Sequence, residues 1–409
     1  MNDAGFDGLP ASPFDGSPFD GMTIERLRGR RGMKWSRYGD EVLPAWIAEP
    51  DTAVCPAVRD AVEALLDRGD LGYPADGAAR SVAEEFSVRQ QRRFGWSADP
   101  SLVRVAPEAI QVISFFVDRC TAPGEPVAIH LPAYPPILDE LSAQGRRAAP
   151  LAWQRLGDSW TTDPSDLERA AEAGARALVL VNPHNPTGRV WRRDELVALA
   201  EQVLALDLVV LADEVHADLV HPDLDIGAEH IPFASLSPEI ADLTLTLNAA
   251  TKSFNLAGAR CVVAHVGRSP RFDTFRDIPP TQWSEVSNVG VEATLAAWRD
   301  GDEWLDAFVD ELVERRDTVI ETLGLHLPEL GHIPPEASFL AWIDCAPLGL
   351  DAAPSEFFLD RALVALSAGE LFGSASNAHV RLNFATAPRI LDEILERMVT
   401  AVDLWRERA

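Results

Sequence analysis

Residues 243–267 read LTLTLNAATKSFNLAGARCVVAHVG. The alternation of Leu243, Leu245 and Leu247 predicts a strand ending near Asn248, and the apolar run 261–266 predicts the next strand. Lys252 stands in the polar turn between them, at the mouth of two buried strands. The chain carries 36 lysine and arginine residues, and only Lys34 and Lys252 are lysines. Arginine stays protonated, so a position that keeps lysine in so arginine-rich a chain points to a need for an amine that can lose its proton. In a desolvated cleft such an amine forms Schiff bases with carbonyls. Lys34, in a polar N-terminal stretch, reads as a surface residue. Eight residues after Lys252 comes Arg260, with Gly258 between.

Composition sets the outer bounds. A chain of 409 residues is long enough for a large core and two domains. Hydrophobic content of 47% and charged content of 24% fit a soluble globular protein. No apolar run approaches the roughly 20 residues of a bilayer span, and the N-terminus lacks the charged-then-apolar form of a secretory signal. Cys55, Cys120, Cys261 and Cys345 are scattered with no C-x-x-C pair. That pattern argues against a disulfide framework or a metal site and for a reduced, cytoplasmic setting. The net charge of −28 argues against nucleic acid or an anionic membrane as partner. An anionic ligand would then need local basic groups and helix dipoles.

Along the chain, residues 1–21 repeat a Phe-Asp-Gly unit at Phe6, Phe14 and Phe19 and read as a disordered tail. A helix is predicted over 55–66 from Val58, Val62 and Leu65, followed by a Gly72-Tyr73-Pro74 turn. In 103–120, Pro107 suits the first position of a helix whose apolar face carries Ile110, Ile113 and Val117. The free N–H groups of that helix start make a natural phosphate seat, although the carboxylate of Glu108 would repel one. Strands over 126–131, 177–181 and 208–212 run into Pro132-Ala133-Tyr134-Pro135, into Asn182-Pro183-His184-Asn185-Pro186-Thr187-Gly188 and into Asp213. Helical patterns alternate with these strands, one of them over 194–204, so the sheet is expected to be mainly parallel. Tyr134, Asn185, Asp213 and Lys252 each lie just past the end of a separate strand, where open α/β sheets bind ligands. Beyond about Asn288 the character changes. Helices are predicted over 289–299 and 304–323, a strand over 338–345, a strand-like run from Arg381, and a closing helix over 390–406.

The string TKSFNLAGAR resembles the cofactor-lysine segment of fold-type I pyridoxal 5′-phosphate (PLP) enzymes, in the class I/II aminotransferase superfamily. SFNLAG, the KWS opening at Lys34, DEVHADLV from Asp213 and IPFAS from Ile231 are most similar to its MalY/PatB-type C–S β-lyase branch. The resemblance covers nearly the whole chain. It implies an α/β fold, the PLP-dependent transferase fold, with a large domain whose mainly parallel central sheet is flanked by helices, plus a smaller α/β domain. The division expected from it is a tail at 1–21, an N-terminal segment of the small domain at 22–55, the PLP-binding domain at 56–290 and a C-terminal small domain at 291–409.

It also implies roles. Lys252 holds PLP and is catalytic. Arg260, Thr251 and the amides of Ala109 and Ile110 belong to the cofactor seat, with Arg260 and the amides on the phosphate. Tyr134 stacks on the ring, Asn185 donates to the phenolic oxygen and Asp213 pairs with the ring nitrogen. His216 lies near the cofactor, Tyr73 reaches the phosphate of a partner subunit, and Arg381 takes the substrate α-carboxylate. The implied protein is a homodimeric lyase that splits cysteine S-conjugates such as L-cystathionine into a thiol, pyruvate and ammonia. Transamination of an L-amino acid on the same scaffold is the alternative, and a regulatory or binding role for a PLP-fold protein is a second. Where the branch usually has Asp-Met-Asp-Phe after the alanine, this chain has Glu49-Pro50-Asp51-Thr52, beside the expected place of the substrate side chain.

Overall fold

The computed structural model describes residue 14 and residues 16–222 and 229–407. Its largest sheet has eight strands: β1 (Val103–Ala106), β2 (Pro126–Leu131), β3 (Arg147–Leu156), β4 (Ser159–Thr162), β5 (Ala177–Val181), β6 (Val209–Asp213), β7 (Thr244–Asn248) and β8 (Val262–Val266). Their spatial order is β1-β8-β7-β6-β5-β2-β3-β4. The central run β7-β6-β5-β2-β3 is parallel throughout, and β8, β1 and β4 extend it with antiparallel pairings. The sheet is therefore mixed around a parallel centre.

Strand periodicity explains how this sheet is covered. Val127, Ile129, Val209 and Leu211 belong to one apolar cluster, while Ala128, Val210 and Ala212 belong to another. Successive side chains of a strand point to opposite faces, so both faces are packed. That is why β5, β6, β7 and β8 are buried at every position, although the Leu-Thr alternation in β7 alone would suggest a half-wet strand.

The helices used below are α1 (Pro56–Arg68), α2 (Ala78–Phe94), α3 (Ala109–Cys120), α4 (Pro135–Ala143), α5 (Arg193–Ala205), α6 (Asn288–Asp300), α7 (Asp302–His326) and α8 (Pro388–Arg406). Helix α1 has Pro56 in its first turn and ends at Gly69, whose φ of 71° places it in the left-handed region. The expectation for Pro107 is corrected: 103–106 is a strand and α3 starts at Ala109, with Glu108 as its N-cap. Among the described residues no helix is long and apolar enough to cross a membrane.

A second sheet holds β9 (Gly331–His332), β10 (Leu340–Asp344), β11 (Ser367–Ala368) and β12 (His379–Asn383) in the order β9-β10-β12-β11, all antiparallel. Leu43–Pro44 pairs in parallel with Val364–Ala365, so the N-terminal segment is tied to the C-terminal part. A third apolar cluster joins these regions with α6, α7 and α8.

The tail reading is corrected for its described end. Phe19 is 4% exposed, its ring centroid 5.8 Å from that of Phe308, with Arg315 lying over it. Pro18 also accepts a hydrogen bond from the Ala53 amide at 2.8 Å. A Gly/Pro/Asp-rich composition conceals one aromatic ring that finds an apolar surface on α7. Phe6 and the rest of 1–13 lie outside the described residues.

Candidate active site

Strands β2, β5, β6 and β7 are consecutive parallel neighbours, so their carboxyl ends share one edge of the sheet. Asp213 ends β6 at that edge, and the loops leaving it carry Tyr134, Asn185 and Lys252. The ladder continues past the strand ends: the Asn182 amide donates to the Asp213 carbonyl at 3.0 Å and the Glu214 amide to the Leu247 carbonyl at 2.9 Å. These bonds hold the loops in register with the strands. In the Asn-Pro loop, Gly188 has φ of 69°, and a Cβ there would come within 2.4 Å of the Pro335 side chain. Glycine is required by both backbone and packing.

Lys252 lies in the tight turn after β7. Its amine donates to the Ala48 carbonyl at 2.9 Å. Burial, reinforced by the Arg381 cation and opposed by Asp213 and Glu49, lowers its pKa to about 8. Asp213 closes β6 and is 5% exposed. Its carboxylate accepts from the Val215 amide at 3.3 Å. Burial raises its pKa to about 6, against that amide bond and the Lys252 cation, with Glu214 adding to the rise.

Tyr134 is the N-cap residue of α4. Its phenol is pushed upward by burial and by Asp213, and held back by Arg381. His216 is buried; its Nδ1 lies 3.0 Å from the Ser338 hydroxyl, and burial with Lys252 and Arg381 nearby lowers its pKa to about 3. It is a neutral imidazole at pH 7. The loop that carries it is anchored by Arg89 of α2, 1% exposed, which bonds Asp218 and Asp302 at 2.9 Å each.

Arg381, in β12, comes from the second sheet. Nη1 donates to Asn185 Oδ1 at 2.9 Å, and Nη2 donates to the Trp46 carbonyl at 3.1 Å and Ser367 Oγ at 3.2 Å. Its Nε is buried without a hydrogen-bond partner. Burial lowers its pKa to about 10, opposed by Tyr134, which leaves it charged at neutral pH.

Tyr134, Asn185, Asp213, His216, Lys252 and Arg381 are thus brought into one cluster. Arg260 and the start of α3 lie together beside it in the fold: Arg260 Nη1 is 2.6 Å from Glu108 Oε1, the N-cap of the helix that begins Ala109-Ile110. Thr251 is the neighbour of Lys252, and its carbonyl accepts from the Leu256 amide at 3.1 Å. Tyr73 stands apart, 92% exposed at the surface.

The departure at 49–52 and the residues just before it have a job in the structure. Their carbonyls are held at Trp46 by Arg381, at Ala48 by Lys252, at Glu49 by Lys34 and Asn383, and at Pro50 by Asn255. Ser367 Oγ also donates to Trp46. Lys34 is not a surface residue. It is 1% exposed and paired with the equally buried Asp51 at 2.8 Å, while Trp35 Nε1 donates to the other Asp51 oxygen at 2.7 Å. The signal for Lys34 was the same scarcity that singled out Lys252. Ser338, Ser367 and Asn383 carried no such signal, because each acts through a fold-distant contact.

The donor set fits PLP. It offers an amine of lowered pKa for an aldehyde, a buried carboxylate for a ring nitrogen, an amide for a phenolic oxygen, and an aromatic ring. An arginine is already holding an anion beside a helix N-terminus. Comparison with known proteins agrees. The family described as aminotransferase class I and II matches residues 53–398. A cystathionine beta-lyase of Corynebacterium glutamicum is 29% identical over 382 residues, covering 93% of this chain and 99% of that protein. Among solved structures, OvoB superposes with a TM-score of 0.85 at 34% identity, covering 92% of this chain and 97% of its own. Cystalysin from Treponema denticola, whose crystals contain pyridoxal 5′-phosphate, superposes with a TM-score of 0.84 at 27% identity and the same coverages.

Proposed function

The chain belongs to the class I and II aminotransferase family, and from that premise we propose that it is a PLP-dependent C–S β-lyase acting on cysteine S-conjugates such as L-cystathionine. The observation that carries the reading is the amine of Lys252. It lies in the turn after β7 with a pKa lowered to about 8 by burial and the Arg381 cation, against the pull of Asp213 and Glu49. The cystathionine beta-lyase that aligns over nearly its whole length sets the choice of reaction within the family.

In this reading Lys252, Tyr134, Asn185, Asp213, His216, Thr251, Arg260 and the amides of Ala109 and Ile110 hold PLP. Bound there, the cofactor supplies a carbonyl that takes the substrate amine and a ring that takes up the electron pair released at Cα. Arg381 orients the substrate by its α-carboxylate, the guanidinium fork matching the two oxygens. The free amine of Lys252 removes the Cα proton, for which its lowered pKa suits it. Asp213 keeps a proton on the ring nitrogen and so favours that step. The Cβ–S bond then breaks with its electron pair going to sulfur, and water converts the remaining fragment to pyruvate and ammonia. The protein is read as a cytoplasmic homodimer that binds neither nucleic acid nor membrane. The exposure of Tyr73, with Leu71 and Leu66 also exposed earlier in the same stretch of chain, supports a subunit contact there.

The test is an assay of purified protein with L-cystathionine and no keto acid. Pyruvate release, with a visible cofactor band, is the expected outcome. A band without pyruvate, joined to amino-group transfer once a keto acid is supplied, would make the protein an aminotransferase. No band after addition of PLP would remove the cofactor reading.

A further inference from the structure

Strands β1 and β8 pair antiparallel, with Ala106 opposite Val262 at the end of the ladder. Two residues beyond each of these, Glu108 and Arg260 face one another across the strand ends. The guanidinium Nη1 lies 2.6 Å from the carboxylate Oε1. Glu108 is the N-cap residue of α3, yet its side chain accepts no hydrogen bond from the helix it begins. It is turned to the arginine instead. The helix start and the arginine, far apart in sequence, are joined in this structure by a carboxylate that belongs to the chain itself.

Resting on the cofactor reading given above, we propose that Glu108 is a built-in rival for the cofactor phosphate. Its carboxylate occupies Arg260 until the phosphate displaces it, and in this way Glu108 sets the affinity for the phosphorylated cofactor. Carboxylate and phosphate use the same face of the guanidinium fork, so they compete for one set of donors. The phosphate also takes the free N–H groups at the start of α3, where a second anion in the same turn repels it. Displacement is feasible because the pair is only half buried in the single chain. The Arg260 and Glu108 side chains are 54% and 48% exposed, and exposed ion pairs are weak. The other parts of the site, the amine, Asp213 and Asn185, act on the ring end of the cofactor and are indifferent to the rivalry. Glu108 therefore separates affinity for phosphate from chemistry at the ring.

The experiment titrates wild-type and Glu108→Gln protein, each freed of cofactor, with pyridoxal 5′-phosphate and separately with pyridoxal, following visible absorbance. Glu108→Gln is expected to lower the dissociation constant for pyridoxal 5′-phosphate by about three- to tenfold and to leave that for pyridoxal within about twofold of wild type. The gain shrinks as salt is added, since the contact is half exposed. Unchanged or weaker binding of pyridoxal 5′-phosphate by the variant would overturn the proposal. So would an equal gain for pyridoxal, which has no phosphate to compete. If no band forms with either compound in either protein, the cofactor reading itself fails and the rivalry falls with it. A band without a difference between the proteins removes the rivalry alone.

Discussion

The chain has two lysines, and they grip neighbouring carbonyls of one segment in opposite electrostatic settings. Lys34 donates to Glu49 and meets a carboxylate, Asp51, at 2.8 Å, both side chains 1% exposed. Lys252 donates to Ala48, with no carboxylate among the described residues within ion-pair distance and a guanidinium nearby. The first ammonium is matched by a buried counter-charge and serves as a structural bolt. The second is left under-compensated, so burial makes its neutral form accessible near pH 8. The lowered pKa of Lys252 comes first from burial and then from the Arg381 cation, with Asp213 and Glu49 only partly offsetting them, and the paired lysine holds a carbonyl next to the one that the unpaired lysine holds.

Three substitutions would break or sharpen this contrast. The largest effect is expected at the unpaired amine. Lys252→Ala should cut pyruvate release by at least about 10³-fold, the scale of a positioned proton-transfer group, and near-normal turnover would refute its role. In the wild type, the rate at which cofactor-free protein captures pyridoxal 5′-phosphate should rise with pH through about 8 and then level off. The sign follows from the neutral amine being the nucleophile; a midpoint near 10 would mean the site leaves Lys252 unshifted.

Next comes the paired amine. Lys34→Met strands the Asp51 carboxylate with the Trp35 N–H as its remaining side-chain donor among the described residues and should cost about 3–5 kcal/mol in urea unfolding. The Lys34→Met/Asp51→Leu double variant should recover much of that loss. A single-variant cost below about 1 kcal/mol would show the bolt to be idle.

The smallest of the three concerns the cation beside Lys252. Arg381→Lys keeps the charge but cannot serve Asn185, Ser367 and the Trp46 carbonyl while also pairing with a carboxylate. A fall of about 10- to 100-fold in kcat/KM is expected, mainly through KM. Equal kinetics would show that Arg381 is not the α-carboxylate anchor.

Much of the large sheet was legible because its strands are short apolar runs that end in turn-forming residues. Tyr134, Asn185, Asp213 and Lys252 could be found from that pattern with the motifs around them. Strands β3 and β4 were not read, since β3 runs through Pro150, carries Arg147 and Arg155, and exposes apolar Ala152 and Leu156, which blurs its alternation, while β4 is only partly buried. Helix α2 escaped for a similar reason: its buried face includes Glu85, Arg89 and Gln90, so no apolar period marks it. Lys34 was misread because local polarity says nothing about a carboxylate 17 residues away that folds against it.

The sequence alone determined where strands end, which residue types can bear amine and carboxylate chemistry, and that lysine at position 252 is exceptional. These are local properties, set by periodicity, turn preference and side-chain functional group. Only the tertiary structure decided which charges face each other. It matched Lys34 with Asp51, left Lys252 with no carboxylate among the described residues within ion-pair distance, carried Arg381 from a second sheet to Asn185, and set Glu108 against Arg260. The physical reason is that electrostatic energy depends on distance and burial, and both are fixed by strand register and packing rather than by neighbours along the chain.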